Sequence, residues 1–188
     1  MKPLIDILLA LAAVLFLAMA LALLVGLVRP VHAVGASRPD PCRLILDMTP
    51  EAPRRLAPAD LADLSRTIWA ESRNQNLCGQ IAVGFVALNR TIQDPATWGT
   101  TVSAVVRKKD QFTPWTGKAN RARLMALDVS DPSYLTATLA ASLVLSGAVQ
   151  DPTQGAVFFH TLTMVPPRWA RKAGKPVVLG HHVFYGRR

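Results

Sequence analysis

Glutamate occurs only twice in this 188-residue sequence, at Glu51 and Glu71. Acidic residues number 12 in all against 21 lysines and arginines, for a formal net charge of +9. Chemistry that needs a carboxylate therefore has few side chains to draw on. Cysteine is as scarce, with Cys42 and Cys78 alone, and neither their count nor their spacing suggests a metal site. A helical His-x-x-x-His pair of the metallopeptidase kind is missing. His181 and His182 are adjacent, and neighbours on a strand point to opposite faces, so the two do not readily serve one ion. No metal or other cofactor is expected. The basic excess attracts polyanions. The runs Arg107-Lys108-Lys109 and Arg171-Lys172 are short, however, and no recognised binding motif accompanies them, so a nucleic-acid partner is not expected.

What the sequence does hold is a run of 22 residues, 7–28, without a charge or a strongly polar side chain. That length suits a bilayer span of about 20 residues and exceeds the roughly 7–15 of a cleaved signal. We read 1–29 as an uncleaved signal anchor, one transmembrane helix. Secretion after cleavage near Val31-His32-Ala33 is the alternative. Lys2 precedes the span while Arg29, Arg38 and Arg43 follow it, so charge alone does not favour export of the C-terminal part. Residues 30–57, with Pro30, Pro39, Pro41, Pro50 and Pro53, read as an extended connector. Residues 58–188 are enough for one domain with a single core, and no internal repeat is visible.

The pattern of that domain is α+β and mostly helical. A helix from Pro58 to Glu71 places Leu61, Leu64, Ile68 and Trp69 on one face. Gln80 to Thr91 forms a second, with Ile81, Phe85 and Leu88 inward and Gly84 allowing another backbone to come close. Further helices are expected over Val102–Lys108, Asn120–Asp128 and Pro132–Ser146. The last carries Leu135, Leu139, Leu143 and Val144 and stops at Gly147. Val157–Phe159 and Val177–Tyr185 are β-branched and aromatic, which predicts a small closing hairpin. Loops hold Trp98, Trp115 and Trp169. Glu71 falls in the last turn of its helix, where unpaired carbonyls disfavour a carboxylate, and Ile68 and Trp69 reduce its hydration. A carboxylic acid kept protonated near neutral pH is what protonation of a glycosidic oxygen requires. On local grounds alone an ordinary helix-end glutamate is the competing reading.

Four separated blocks widen the view. Glu71-Ser72-Arg73 with Gly79-Gln80-Ile81-Ala82-Val83 and Leu88-Asn89-Arg90, then Gln111-Phe112-Thr113, then Gly155-Ala156-Val157-Phe158-Phe159-His160, and finally Gly180-His181-His182-Val183-Phe184-Tyr185 resemble the SleB-type cell-wall hydrolases, the spore-cortex-lytic enzymes and their relatives. The resemblance covers about Leu64 to Tyr185. It implies a lysozyme-like domain acting on peptidoglycan glycan strands, which would put the domain on the outer side of the membrane. It departs at Asn74-Gln75, where many relatives carry Gly-Glu.

The resemblance points to Glu71 as the catalytic residue. Asn89, Gln111, Phe112, Trp115, His160 and Tyr185 supply the amide, imidazole and aromatic chemistry that binds sugar. Asp94, before Pro95, reads as a turn residue, and Asp110 follows three basic residues expected to pair with it. One carboxylate serves a lytic transglycosylase, whereas a hydrolytic glycosidase normally uses two. The expected activity is therefore lytic transglycosylation between N-acetylmuramic acid and N-acetylglucosamine. A hydrolytic muramidase, a non-catalytic murein-binding module and a peptidoglycan amidase or peptidase are the alternatives. A disulfide between Cys42 and Cys78 would pin the connector beside the Glu71 turn, against the alternative of a free, buried Cys78.

Overall fold

The computed structural model describes residues 56–187. Among them, no helix is long and apolar enough to cross a membrane. The apolar run 7–28, the connector up to 55 and Cys42 lie outside the described residues, and with them the anchor and the Cys42–Cys78 pairing.

Helix α1 spans Pro58–Ser72, with proline at its first position, where its missing N–H costs nothing. Leu64, Ile68 and Trp69 are buried along it as the periodicity predicts. Helix α2 runs Leu77–Gln93, three residues further toward the N-terminus than expected. The cause is Asn76, whose side chain accepts from the Gly79 amide at 2.9 Å and caps the first turn. Cys78 is buried just inside this start. Two short helices follow: α3 over Pro95–Trp98, which periodicity is too short to reveal, and α4 over Val102–Arg107. A 3-10 turn at Thr113–Trp115 leads to α5, Lys118–Met125. Helix α6, Pro132–Ser146, has the predicted bounds. Asp131 caps it, and Gly147 ends it at φ 74, a left-handed conformation that suits glycine.

The core forms where α1, α2 and α6 pack together. At Gly84 a Cβ would lie 3.1 Å from both Ile68 Cδ1 of α1 and Val144 Cγ2 of α6. The glycine thus makes room for two side chains from neighbouring helices, and not for the backbone approach expected from sequence. The buried face of α6 is not its leucine stripe. Tyr134, Ala137, Ala140, Ala141 and Val144 point inward, while Leu135 and Leu139 are exposed. Small alanines let the helices sit close, which leucines on that face would prevent.

Three strands close the domain: β1 Phe158–Thr161, β2 Val177–Leu179 and β3 His182–Tyr185, in the order β1-β3-β2 and antiparallel throughout. The two expected runs become three strands, because Val177–Tyr185 turns at Gly180-His181, with Gly180 at φ 54, into the hairpin β2–β3. β1, in the run Val157–Phe159 read as a strand, pairs with the other side of β3, so β1 and β2 form the two edges of the sheet. Gln75, in the α1–α2 turn, reaches this hairpin, its Oε1 accepting from the His181 amide at 2.9 Å. The position that departs from the resemblance thus ties turn to hairpin. The three tryptophans sit in elements: Trp98 ends α3, Trp115 closes the first 3-10 turn, and Trp169 lies in a second, Arg168–Lys172.

Candidate active site

Glu71 stands in the last turn of α1 and faces an open cleft of about 410 Å³. Four other segments complete the cleft: Arg90 from α2, Gln111–Thr113 after α4, Phe158–Thr161 of β1 with Met164, Pro167 and Trp169 beyond it, and His182 of β3. Because β1 is an edge strand, side chains from both of its faces border the opening. Glu71 is the only carboxyl in this lining.

The Glu71 side chain is half-buried, and its carboxyl has no hydrogen-bond or ion-pair partner among the described residues. Burial pushes it up from 4.5 to about 7, with the charge of Arg90 opposing. Lost solvent is thus the main cause of the rise. Arg90 is itself buried, and burial pulls it down to about 10, with Glu71 opposing. It remains a cation at neutral pH.

Arg90 frames the site. Its Nε donates to the Val157 carbonyl at 2.8 Å and its terminal nitrogen to Gln111 Oε1 at 3.3 Å, while the guanidinium lies over the rings of Phe112 and Trp98. One side chain thereby joins α2, the Gln111 loop and the start of β1. Arg90 lies in one of the blocks that carry the resemblance, and no role was expected of it. A lone buried arginine on an otherwise apolar helix face was the available signal.

The structure brings together Glu71, Gln111, Phe112 and His160 of the expected site residues. Phe112 is almost fully buried and backs the cleft more than it opens onto it. His160 is held by Nε2 against the Tyr185 hydroxyl at 3.1 Å and by Nδ1 near the Thr161 carbonyl at 2.8 Å. Tyr185, stacked on the His160 ring, sits behind the cleft wall and does not line it. Asn89 is turned elsewhere. Its Nδ2 donates to Asp151 Oδ2 at 2.8 Å and to the Ala156 carbonyl at 3.0 Å, fixing the loop that leads into β1. Trp115 is buried, with Nε1 donating to Thr67 Oγ1 at 2.8 Å.

Several lining residues were not expected. Trp169, 39% exposed, packs beside Phe158, His160 and Tyr185 and offers an aromatic surface at the rim. His182 is buried, with Nδ1 unpartnered, and burial lowers its affinity for a proton. Of the two other carboxylates considered, Asp94 caps α3 through the Thr97 amide and pairs with Arg187 at 3.0 Å. Asp110 is exposed at φ 65 and has no ion pair among the described residues, because Arg107 pairs with Asp63 instead. Neither lines the cleft.

A family model described as Cell Wall Hydrolase matches residues 74–185. The match begins just past Glu71 and does not include it. Two solved structures share the fold at 25% identity and a TM-score of 0.56, each over 71% of this chain. They are the catalytic domain of the Bacillus cereus SleB protein, covered over 94% of its length, and that of the germination-specific lytic transglycosylase SleB from Bacillus anthracis, covered over 98%. No curated protein matches the chain.

Proposed function

The chain belongs to the cell wall hydrolase family, and on that footing we propose that it cuts murein glycan strands as a lytic transglycosylase. The observation that carries this reading is Glu71, the one carboxyl in the cleft, half-buried and held near neutral pKa. In its acid form Glu71 protonates the oxygen between N-acetylmuramic acid and N-acetylglucosamine as the C1–O bond breaks. The carboxylate so formed takes the proton from the muramic acid's C6 hydroxyl, and O6 bonds to C1. A 1,6-anhydro ring results, and Glu71 is again protonated without a water being consumed. A hydrolytic route normally needs a second carboxylate to activate water, and the cleft lining offers none.

The cleft suits a sugar chain. Trp169 gives an exposed aromatic face, Gln111 an amide, and Thr113 and Thr161 hydroxyls. Arg90 keeps Gln111 oriented. Mass analysis of digested sacculi tests the reaction type: 1,6-anhydro-muramyl ends are expected. Reducing muramic acid ends would indicate hydrolysis, released peptides an amidase or peptidase, and intact strands a binding module.

We further place the domain on the outer side of the membrane, tethered through residues 7–28, since its substrate lies there. The full chain should sediment with membranes and stay there through carbonate extraction. Recovery of a soluble form beginning near Val34 would mean that the segment is a cleaved signal.

A further inference from the structure

A second depression, about 240 Å³, opens beside the cleft and shares Thr113 with it. Its floor is Trp69, and its walls include Arg73, Asn120 and Arg123. Both guanidiniums lie over the one indole, Arg73 at 4.7 Å and Arg123 at 5.2 Å from the ring centroid. Trp69 is fixed below them by its Nε1 bond to Ser133 Oγ at 2.7 Å. Neither arginine has an ion-pair partner among the described residues, whereas Arg66, Arg107 and Arg187 each face an aspartate. Two flat cations are thus held side by side in a concavity with their donors unspent.

We propose that this depression binds carboxylates of the murein stem peptide, so that the enzyme prefers peptide-bearing glycan strands over bare ones. The proposal rests on the glycan-strand reading above. Helix geometry decides which carboxylate is meant. Trp69 and Arg73 are four residues apart and share a face of α1, while Glu71 lies between them, about 200° around the helix from Trp69. The depression therefore lies around the helix end from the cut bond. A helix with its side chains is about 10 Å across, too far for the lactyl carboxyl of a muramic acid seated at Glu71. A peptide extending at about 3.3 Å per residue covers that distance in a few residues, passing over Thr113. Its carboxylates then meet planar donors suited to bidentate contact.

The test is a binding measurement with full-length Glu71→Gln protein, which keeps strands intact for titration. The probes are soluble murein strands carrying stem peptides and the same strands stripped by an amidase. Arg123→Ala and Arg73→Ala should each weaken binding to peptide-bearing strands by roughly two- to fivefold, as expected for a charged contact near the surface. Both should leave binding to stripped strands unchanged. Arg→Lys variants, which keep the charge but lose the planar fork, should recover only part of the loss. Unchanged affinity for peptide-bearing strands overturns the proposal, and so does an equal loss on both probes. Because binding is read apart from cleavage, a failure here is distinct from finding no anhydro ends in digested sacculi.

Discussion

Glu71→Gln is expected to lower turnover on murein by about 10²- to 10⁴-fold, the range typical of a lost general acid, while strands still bind. Glutamine keeps the side chain's size and an acceptor oxygen but has no proton to transfer. The wild-type rate should fall as pH rises through about 7, because the acid form does the first step and burial has moved its titration to that range. Stability follows with its own sign. Between the ordinary value of 4.5 and about 7, the folded chain holds a proton at Glu71 that the unfolded chain has released. Glu71 therefore costs stability as pH climbs through that window, and the glutamine variant lacks this loss. The variant should match wild type in acid and melt no lower above pH 7. A variant that clears murein at the wild-type rate would leave Glu71 an ordinary helix-end residue on a fold without this chemistry.

How far the sequence foretold these features depends on what a residue type encodes. Helix ends were legible in part: Pro58 starts α1 and Pro132 and Gly147 bound α6, whereas the Asn76 cap that starts α2 was missed. Inward faces were less so. The leucines are the more apolar residues of α6, yet its alanines face α1 and α2, since close helix packing selects for small size. Val157–Phe159 was legible as a strand, but the Gly180-His181 turn that splits Val177–Tyr185 into β2 and β3 was not, because β-branched and aromatic residues flank it on both sides. The site shows the same division. Glu71 stood out as one carboxyl in apolar surroundings, and the cleft is built around it. Asn89, Trp115 and Tyr185 have chemistry that binds sugar or builds a frame equally well. The direction of each side chain is set by partners distant in sequence, such as Asp151, Thr67 and His160. Arg90 was hidden for the reverse reason, since its value lies in joining three segments that only folding brings together.

The frame below the cleft depends on a second carboxylate, Asp63, and its loss should have the largest effect on stability. Asp63 is buried in α1 and accepts from Ser103 Oγ and Arg107 Nε, both at 2.5 Å, and from a terminal nitrogen of Arg107 at 2.7 Å. The Arg107 guanidinium lies over Trp115, which is bonded in turn to Thr67. This chain of contacts fastens α4 and the Thr113–Trp115 turn, hence one wall of the cleft, to α1. Burial alone would raise the Asp63 pKa, but the bonds from Arg107 and Ser103 and the arginine charge outweigh it and hold the carboxyl below 3.8. Removing one partner of a buried pair costs about 3–5 kcal/mol. Arg107 is partly exposed and can rehydrate, so about 2–4 kcal/mol is the better expectation for Asp63→Ala. For a domain of this size that is a fall in Tm of roughly 6–12 °C. Because the folded pKa is depressed, the stabilisation is present above the unfolded value near 4 and is lost as pH falls below it. Wild type should therefore lose more stability than the variant on acidification below pH 4. Thermal melts at pH 7 and pH 3 measure both effects. A change under about 0.5 kcal/mol at pH 7 would place Asp63 among ordinary surface pairs and leave the cleft wall held by packing alone.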